Sequence, residues 1–366
     1  MAIKARKFRL YPNAAQRLLI EKTFGCCRFI YNQGLELRNA AYKEGKTAGY
    51  SETSARLTEL KTIEDYKWLQ EPDSIALQQS LRDLDAAFTR FFEKKANYPQ
   101  FKSKHGSDAS YRTLNQNNCI RIDGSKIKLP KLGWVKFKQT DEVGDIRNVT
   151  VSRSPAGEYY ISVAFFFQPQ PLPATDSAIG IDVGIKEFSV DSNGSHHENP
   201  KYLTKSLQKL KREQRRLSRK KTGSKNREKQ RVRVAKVHER VANQRRDHHQ
   251  KLSTKLIREN QVICVEDLNI KGMMKNHNLA QAIGDAAWGE FMRELEYKAE
   301  WYGRTIVKVP TFYPSSQTCS CCGYKNADVK NLRVRLWTCP ECGASHDRDK
   351  NAADNILEKG IAILIG

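Results

Sequence analysis

Apolar positions along the 366-residue chain change their period several times, and each change marks an element. Residues 1–10 (MAIKARKFRL) alternate apolar and basic, the two-residue period of a short strand. From Asn13 the spacing lengthens to three and four. NAAQRLLIEKTFGCCRFIYNQGLEL follows an Asn suited to capping, and DSIALQQSLRDLDAAFTRFF follows Pro72 and Asp73, so both predict helices. Leu77, Leu81, Leu84, Phe88 and Phe91 form one stripe on the second, which reads as core. Residues 103–118 are polar and read as a loop. Between Cys119 and Phe167 the alternation returns in short runs (CIRIDG, KIKLP, WVKFK, VTVSRSPAGEYYISVAFFF), predicting a small antiparallel sheet or barrel. With residues 1–10 as its first strand, the helical block becomes an insertion in that barrel.

QPQPLPATDS marks a linker, placed at 169–177. AIGIDVGIKEFSVDSNG then predicts a buried strand, a turn and a second strand. Two sparse apolar stripes follow, Leu203/Leu207/Leu210/Leu217 and Val234/Val237/Val241, with TGSKN between them, so residues 201–258 read as a helical hairpin with a narrow seam. QVICVEDLNI is a strand that is apolar up to its acidic end, residues 287–302 an amphipathic helix, and RTIVKVP a further strand.

Charge sharpens this picture. The formal net charge is +23, and within 201–258 eleven Lys and eleven Arg against four acids leave +18. A field so concentrated calls for a polyanion, and nucleic acid is the default partner. The cations assigned to that contact are Lys209, Arg212, Arg215, Arg216, Arg219, Lys220, Arg227, Arg231, Arg245 and Arg246. No signal-like or membrane-spanning apolar run stands out, so the expectation is a cytoplasmic protein with no membrane partner.

Three acids carry the candidate chemistry. Asp182 lies inside an apolar strand, where an unpaired carboxylate is costly. Glu266 ends a second apolar strand, and Asp349 falls in the first turn of a helix expected over 351–359. Two strand carboxylates and one at a helix start are what a metal-dependent nuclease of the RNase H type requires, with Mg²⁺ or Mn²⁺ held by hard oxygen ligands. Asp347 competes for the third place but suits the helix N-cap better, so Asp349 is preferred.

Nine Cys in such a chain argue for metal rather than disulfides. CSCCG and CPECG each hold C-x-x-C-G, with 16 residues between the pairs. Cys319, Cys322, Cys339 and Cys342 thus predict a closed, structural Zn²⁺ ribbon over 314–346, just ahead of the last acid-bearing helix, which it could hold in place. Cys321 reads as a bystander, with substitution for a neighbouring ligand as the alternative.

GIDVGIK, VEDLNIKGM, FYPSSQTCSCCG and CGASHDRDKNAADNI, with KARKFRLYPNAAQRLLIEKTFGCCRFIYN at the start, closely resemble the TnpB (OrfB-type) proteins of insertion-sequence transposons, relatives of type V CRISPR effectors and Fanzor proteins. The resemblance implies an RNA-guided endonuclease that cuts double-stranded DNA beside a short flanking motif with one RuvC-like site. It places Asp182, Glu266 and Asp349 on the catalytic acids and the four cysteines on the zinc ligands. The implied fold is α+β and multidomain: a wedge-like β-barrel (1–10 and 103–168), a helical recognition domain (11–102), and an RNase H-like nuclease domain (178–313 and 347–366) interrupted by the zinc ribbon. The implied partners are a guide RNA from the transposon end, target DNA and a companion transposase, with a monomer on its RNA expected. No helix-turn-helix signature or RNA-recognition motif stands out, and a basic hairpin suits an RNA–DNA hybrid held by shape and phosphates. Gln78 and Gln79 are candidates for reading bases of the flanking motif. The alternative from another class is a catalytically silent, RNA-guided repressor or regulator of transposition.

Overall fold

The computed structural model describes residues 1–104, 109–331 and 333–366. It divides into two compact units, Met1–Gln168 and Pro169–Gly366.

In the first unit β1 (Ala2–Tyr11) leads into α1 (Ala14–Lys43), α2 (Tyr50–Leu60) and α3 (Ser74–Phe92) before the chain returns to strands. Asn13 caps α1 through a reciprocal box: its side chain accepts from Gln16 N at 2.9 Å, and Gln16 Oε1 accepts from Asn13 N at 3.0 Å. Then follow β2 (Ala109–Leu114), β3 (Arg121–Asp123), β4 (Lys126–Leu129), β5 (Gly133–Lys138), β6 (Asp145–Arg153) and β7 (Tyr159–Phe167). All pair antiparallel in one sheet of order β2-β6-β7-β1-β5-β4-β3, so the first strand of the chain is the middle of the sheet.

Two expectations change here. The span read as a polar loop contains β2, whose ASYRTL sequence alternates too briefly to stand out, and the part of that loop at 105–108 lies outside the described residues. Among the described residues β2 and β3 remain edge strands, so the pairing is that of an open sheet rather than a closed barrel. The helices have only a small cluster of their own, Tyr31, Leu35, Leu84 and Phe88, and otherwise share the core of the sheet. Ile20, Leu57, Leu77 and Leu81 share one apolar cluster with Phe8, Val135, Val149 and Ile161 of the strands.

The second unit carries β8 (Ala178–Val183), β9 (Glu187–Asp191) and β10 (His196–Glu198), then α4 (Tyr202–Ser218) and α5 (Lys225–Glu259). Next are β11 (Val262–Glu266), α6 (Ile270–Met273), α7 (His277–Ala286), α8 (Trp288–Tyr302) and β12 (Thr305–Val309). The short β13 (Leu336–Thr338) and β14 (Ser345–Asp347) precede α9 (Arg348–Ile365). The main sheet has order β10-β9-β8-β11-β12, with β8, β11 and β12 parallel and β9 antiparallel to β8.

Strand alternation assigns the two faces of this sheet. Ile179, Ile181, Ile263 and Val265 turn to one side and pack with Leu252, Leu256 and Ile257 of α5 and Phe291 and Leu295 of α8. Gly180, Asp182, Cys264 and Glu266 therefore turn to the other, where α9 lies: Ile356 packs with Cys264, Val307 and Val309. Two glycines permit that close approach. A Cβ at Gly180 would collide with the Ala353 carbonyl and the Leu357 backbone, and one at Gly360 would collide with Cys264 Sγ. Among the described residues no helix is long and apolar enough to cross a membrane.

Because the obstacle at Gly180 is backbone, Gly180→Ala should cost about 1–3 kcal/mol. Urea denaturation checks this, and a change within about 0.5 kcal/mol would contradict the close approach.

Candidate active site

The last registered pair between β8 and β11 is Ile181 with Val265. One residue further stand Asp182 and Glu266, at the same level, on the same face, at the carboxyl ends of neighbouring parallel strands. Ala353 sits over Gly180, and Asp349 lies one helical turn before Ala353, so it falls on the sheet-facing side of α9 toward those strand ends. Three acids far apart in sequence are thus brought together by a strand register and one helix crossing.

Their electrostatics bear this out. Burial, then repulsion from Asp349 and Glu266, pushes the Asp182 carboxyl up to about 8, while Arg348 and Arg335 pull it the other way. Burial also raises Glu266. Asp349 is gripped by a cation from the ribbon: Arg335 Nη1 donates to its two carboxylate oxygens at 3.0 and 2.9 Å. Among the described residues, only ribbon side chains form groups of three or more His, Cys, Asp or Glu with every ligand atom within 4.8 Å of the others. The carboxylates are near enough to repel one another but are not drawn together as the thiols are. Asp347 is occupied elsewhere, as the α9 N-cap, accepting from Asp349 N and Lys350 N at 3.0 Å each. The helix begins at Arg348, three residues before the expected start, because that cap precedes it.

The zinc ribbon's geometry is direct. Cys319, Cys322, Cys339 and Cys342 bring their sulfurs within 4.8 Å of one another, with Cys319–Cys342 and Cys322–Cys339 each at 3.6 Å. A tetrahedral zinc with Zn–S near 2.3 Å requires sulfurs about 3.8 Å apart, so these four residues fit the ion. Gly323 and Gly343 close the two knuckles with φ of +75° and +73°, a region other residues rarely adopt. Cys321 does not stand wholly apart, since it forms a second group with Cys319 and His346.

In the basic hairpin, Leu210, Val237 and Val241 are buried, whereas Leu203, Leu207 and Leu217 are only half-buried. A polar pair completes the seam: Gln230 Nε2 donates to Glu213 Oε2 at 2.7 Å and to Glu213 O at 3.0 Å. Lys209, Arg212, Arg215, Arg216, Arg219, Lys220, Arg231 and Arg246 are exposed. Several of the assigned cations already have partners within the protein, Arg216 among them, which donates to Glu213 Oε1 at 3.1 Å. Arg227 donates to the Leu217 and Lys220 carbonyls at the end of α4, Arg231 grips Glu228, and Arg245 donates to the Gly284 carbonyl at 2.8 Å. Gln79 corrects an expectation. It is buried on the inner side of α3, and only Gln78 is exposed, because adjacent helical residues point about 100° apart.

Sequence reasoning missed Arg335, Arg348, Asn351, Asn355 and His346. Arg348 is buried beside Asp182, with a 3.5 Å approach to Ser316 Oγ. The readable trace of the two asparagines was their i, i+4 spacing on the acid-bearing helix.

The fold and the two polar centres define a class: an α+β multidomain protein with a basic helical hairpin, a three-acid strand-end cluster and a zinc ribbon docked beside it. Residues 149–277 match the IS605 OrfB family, described as "Probable transposase", and 288–356 match the Cas12f1-like TNB domain. A protein of Streptomyces pristinaespiralis described as "Putative RNA-guided DNA endonuclease" is 42% identical over 98% of this chain and 90% of its own length. "Putative RNA-guided DNA endonuclease InsQ" of Escherichia coli K12 is 34% identical over 99% and 93%. The chain belongs to the TnpB family of IS605 OrfB-type proteins. Among solved structures, a Cas12f1-sgRNA-target DNA complex shares the fold, with TM-score 0.58 at 15% identity over 97% of this chain and 98% of that one. Residues 1–47 match a family described as a helix-turn-helix domain, yet here they form β1 and the single helix α1.

The raised Asp182 value fixes the sign of a pH effect. Its folded value of about 8 lies above the ordinary 3.8, so its charge weakens the fold progressively as pH rises from about 4 to about 8 and not below that window. Asp182→Asn should therefore raise Tm without added divalent ions, with a clearly larger gain at pH 8 than at pH 5. Calorimetry checks this, and equal gains at both pH values would contradict the upward shift that burial and the neighbouring carboxylates impose.

Proposed function

We propose that this chain is an RNA-guided DNA endonuclease of an insertion-sequence transposon, hydrolysing double-stranded DNA beside a short flanking motif. Asp182, Glu266 and Asp349 are its catalytic acids, on an RNase H-like (RuvC-like) sheet. The observation that carries the reading is the crowding around Asp182: burial and two neighbouring carboxylates push its carboxyl up to about 8. A cluster so frustrated is stabilised by positive charge, and the donor set of hard carboxylate oxygens fits Mg²⁺ or Mn²⁺.

Bound ions of that kind supply an activated water and stabilise the attacking and leaving oxygens of a phosphodiester. The chain's own groups do the rest. Asp182 and Glu266, fixed on adjacent strand ends, and Asp349, fixed by a capped helix turn, hold the ligating oxygens. Arg335 holds the Asp349 carboxylate in the metal-free protein, and a divalent ion held there by Asp349 would compete with that guanidinium for the same oxygens. The exposed cations of α4 and α5 track the phosphates of guide and target without reading bases, which leaves sequence choice to pairing. In this reading the first unit is the wedge and recognition region, and Gln78 is the remaining candidate for the flanking motif. The names of the relatives and the TnpB family membership support the same reading.

The test is cleavage of a target plasmid by protein carrying its co-purified RNA. Asp182→Ala should lower cutting by at least about 10³-fold while target binding persists. Binding without cutting by the unaltered protein, whatever the divalent ion, would instead favour the silent repressor. Strand-joined products would favour a transposase.

A further inference from the structure

Asp349 takes its direction from the first turn of α9, and on the side away from the sheet that turn is tied to the first cysteine knuckle. Asn351 and Asn355 lie one turn apart on a common helix face, and both are buried, 1% and 2% exposed. Asn355 Nδ2 donates to the Ser315 and Thr318 carbonyls, both at 2.7 Å. Asn351 Nδ2 donates to the Thr318 carbonyl at 2.7 Å and the Ser315 carbonyl at 3.4 Å, and its Oδ1 accepts from Ser320 N at 3.0 Å. Two side-chain amides thus clamp the same two carbonyls at the entry to the knuckle. A third tie comes from His346, the residue before the Asp347 cap. Its Nε2 lies 3.1 Å from Cys319 Sγ, and its ring packs on Trp337 with centroids 4.7 Å apart.

A ribbon needed only for stability could be anchored anywhere. Here the ties fall on either side of Asp349, at 346, 351 and 355. The sheet side of α9 sets its distance through close packing at Gly180 and Gly360, while the polar ties lie on the far side of the helix. Hydrogen bonds to fixed carbonyls are directional, so these ties add a constraint on how the helix is turned.

We propose that Asn351 and Asn355 are positioning residues that pass the geometry of the zinc knuckle to Asp349, so that divalent-ion affinity at the acid cluster depends on the ribbon being clamped to α9. This rests on the reading of Asp182, Glu266 and Asp349 as metal ligands. It makes the ribbon part of the nuclease site rather than a separate appendage. Partners that orient a ligand from behind typically change metal affinity or activity by 10–100-fold when altered.

Asn351→Asp and Asn355→Asp keep the side-chain size and turn a carboxylate toward the two carbonyls; Asn355→Ser is a milder change that leaves the Asn351 donors in place. Each protein is purified with its RNA, its zinc content and Tm are measured, and Mn²⁺ is titrated by electron paramagnetic resonance. Mg²⁺ dependence of cutting is followed in parallel. The two Asp variants bury a carboxylate against carbonyl oxygens and should lower Tm, so the reading rests on Asn355→Ser: zinc retained, a smaller loss of Tm, Mn²⁺ affinity of the folded protein lower by about tenfold or more, and cutting partly restored at high Mg²⁺. A purely structural clamp would move zinc and Tm together and leave the Mn²⁺ affinity of the folded fraction unchanged. Mn²⁺ affinity within about twofold of the unaltered protein in the folded Asn355→Ser variant overturns the proposal. The control is Asp182→Asn: if it leaves Mn²⁺ binding untouched, the acid-cluster reading itself fails and takes this proposal with it.

Discussion

Helix α9 can lie against its sheet only because Gly180 and Gly360 have no side chains where backbone and sulfur need the room. The geometry of the second unit depends on that contact. It sets how far the helix stands from β8 and β11, and so whether Asp349 reaches the strand ends that carry Asp182 and Glu266. Two neighbouring strands supply one acid each through their period of two, since the residues that follow Gly180 and Cys264 by two positions share their face. A helix supplies the third through its period near four, one turn before Ala353. The ribbon then grips the far side of the same helix, so sheet and zinc act on opposite faces of one element.

Charge is arranged with equal economy. The hairpin α4–α5 concentrates positive charge with the net +18 of residues 201–258, while three carboxylates crowd a single corner of the same unit. Neither arrangement helps a protein to fold alone. Like charges along a helix repel, and a half-buried carboxylate beside two others is held far from its ordinary range. Both become favourable with the opposite charge present, polyanionic backbone for one and divalent cations for the other. The Arg335–Asp349 pair shows the second demand already met in part by a guanidinium.

Much of this was readable from residues. Asp182 and Glu266 were conspicuous because each interrupts or ends an apolar run, and the two C-x-x-C-G knuckles because thiols at that spacing have few other uses. Asp347 could be set apart as the cap because it stands just before the helix, where its carboxylate accepts from Asp349 N and Lys350 N. What stayed hidden depends on contacts between distant segments. β2 is too short and too polar to declare itself, and it exists because β6 pairs with it along its whole length. The burial of Gln79 follows from which side of α3 meets the sheet core, a fact outside the helix's own sequence. Whether an Arg in a basic run faces solvent or caps a neighbouring helix, as Arg227 does, is likewise set by tertiary packing. The two asparagines on α9 looked like ordinary polar residues until the knuckle was placed against them.

The most direct measurement is the anomalous-scattering map of crystals of the RNA-bound protein soaked in Mn²⁺. The account predicts at least one manganese peak about 2.0–2.5 Å from carboxylate oxygens of Asp182 and Asp349, with Glu266 in the same shell and Arg335 moved off Asp349. No peak between β8, β11 and the start of α9, with Arg335 still paired to Asp349, would contradict it.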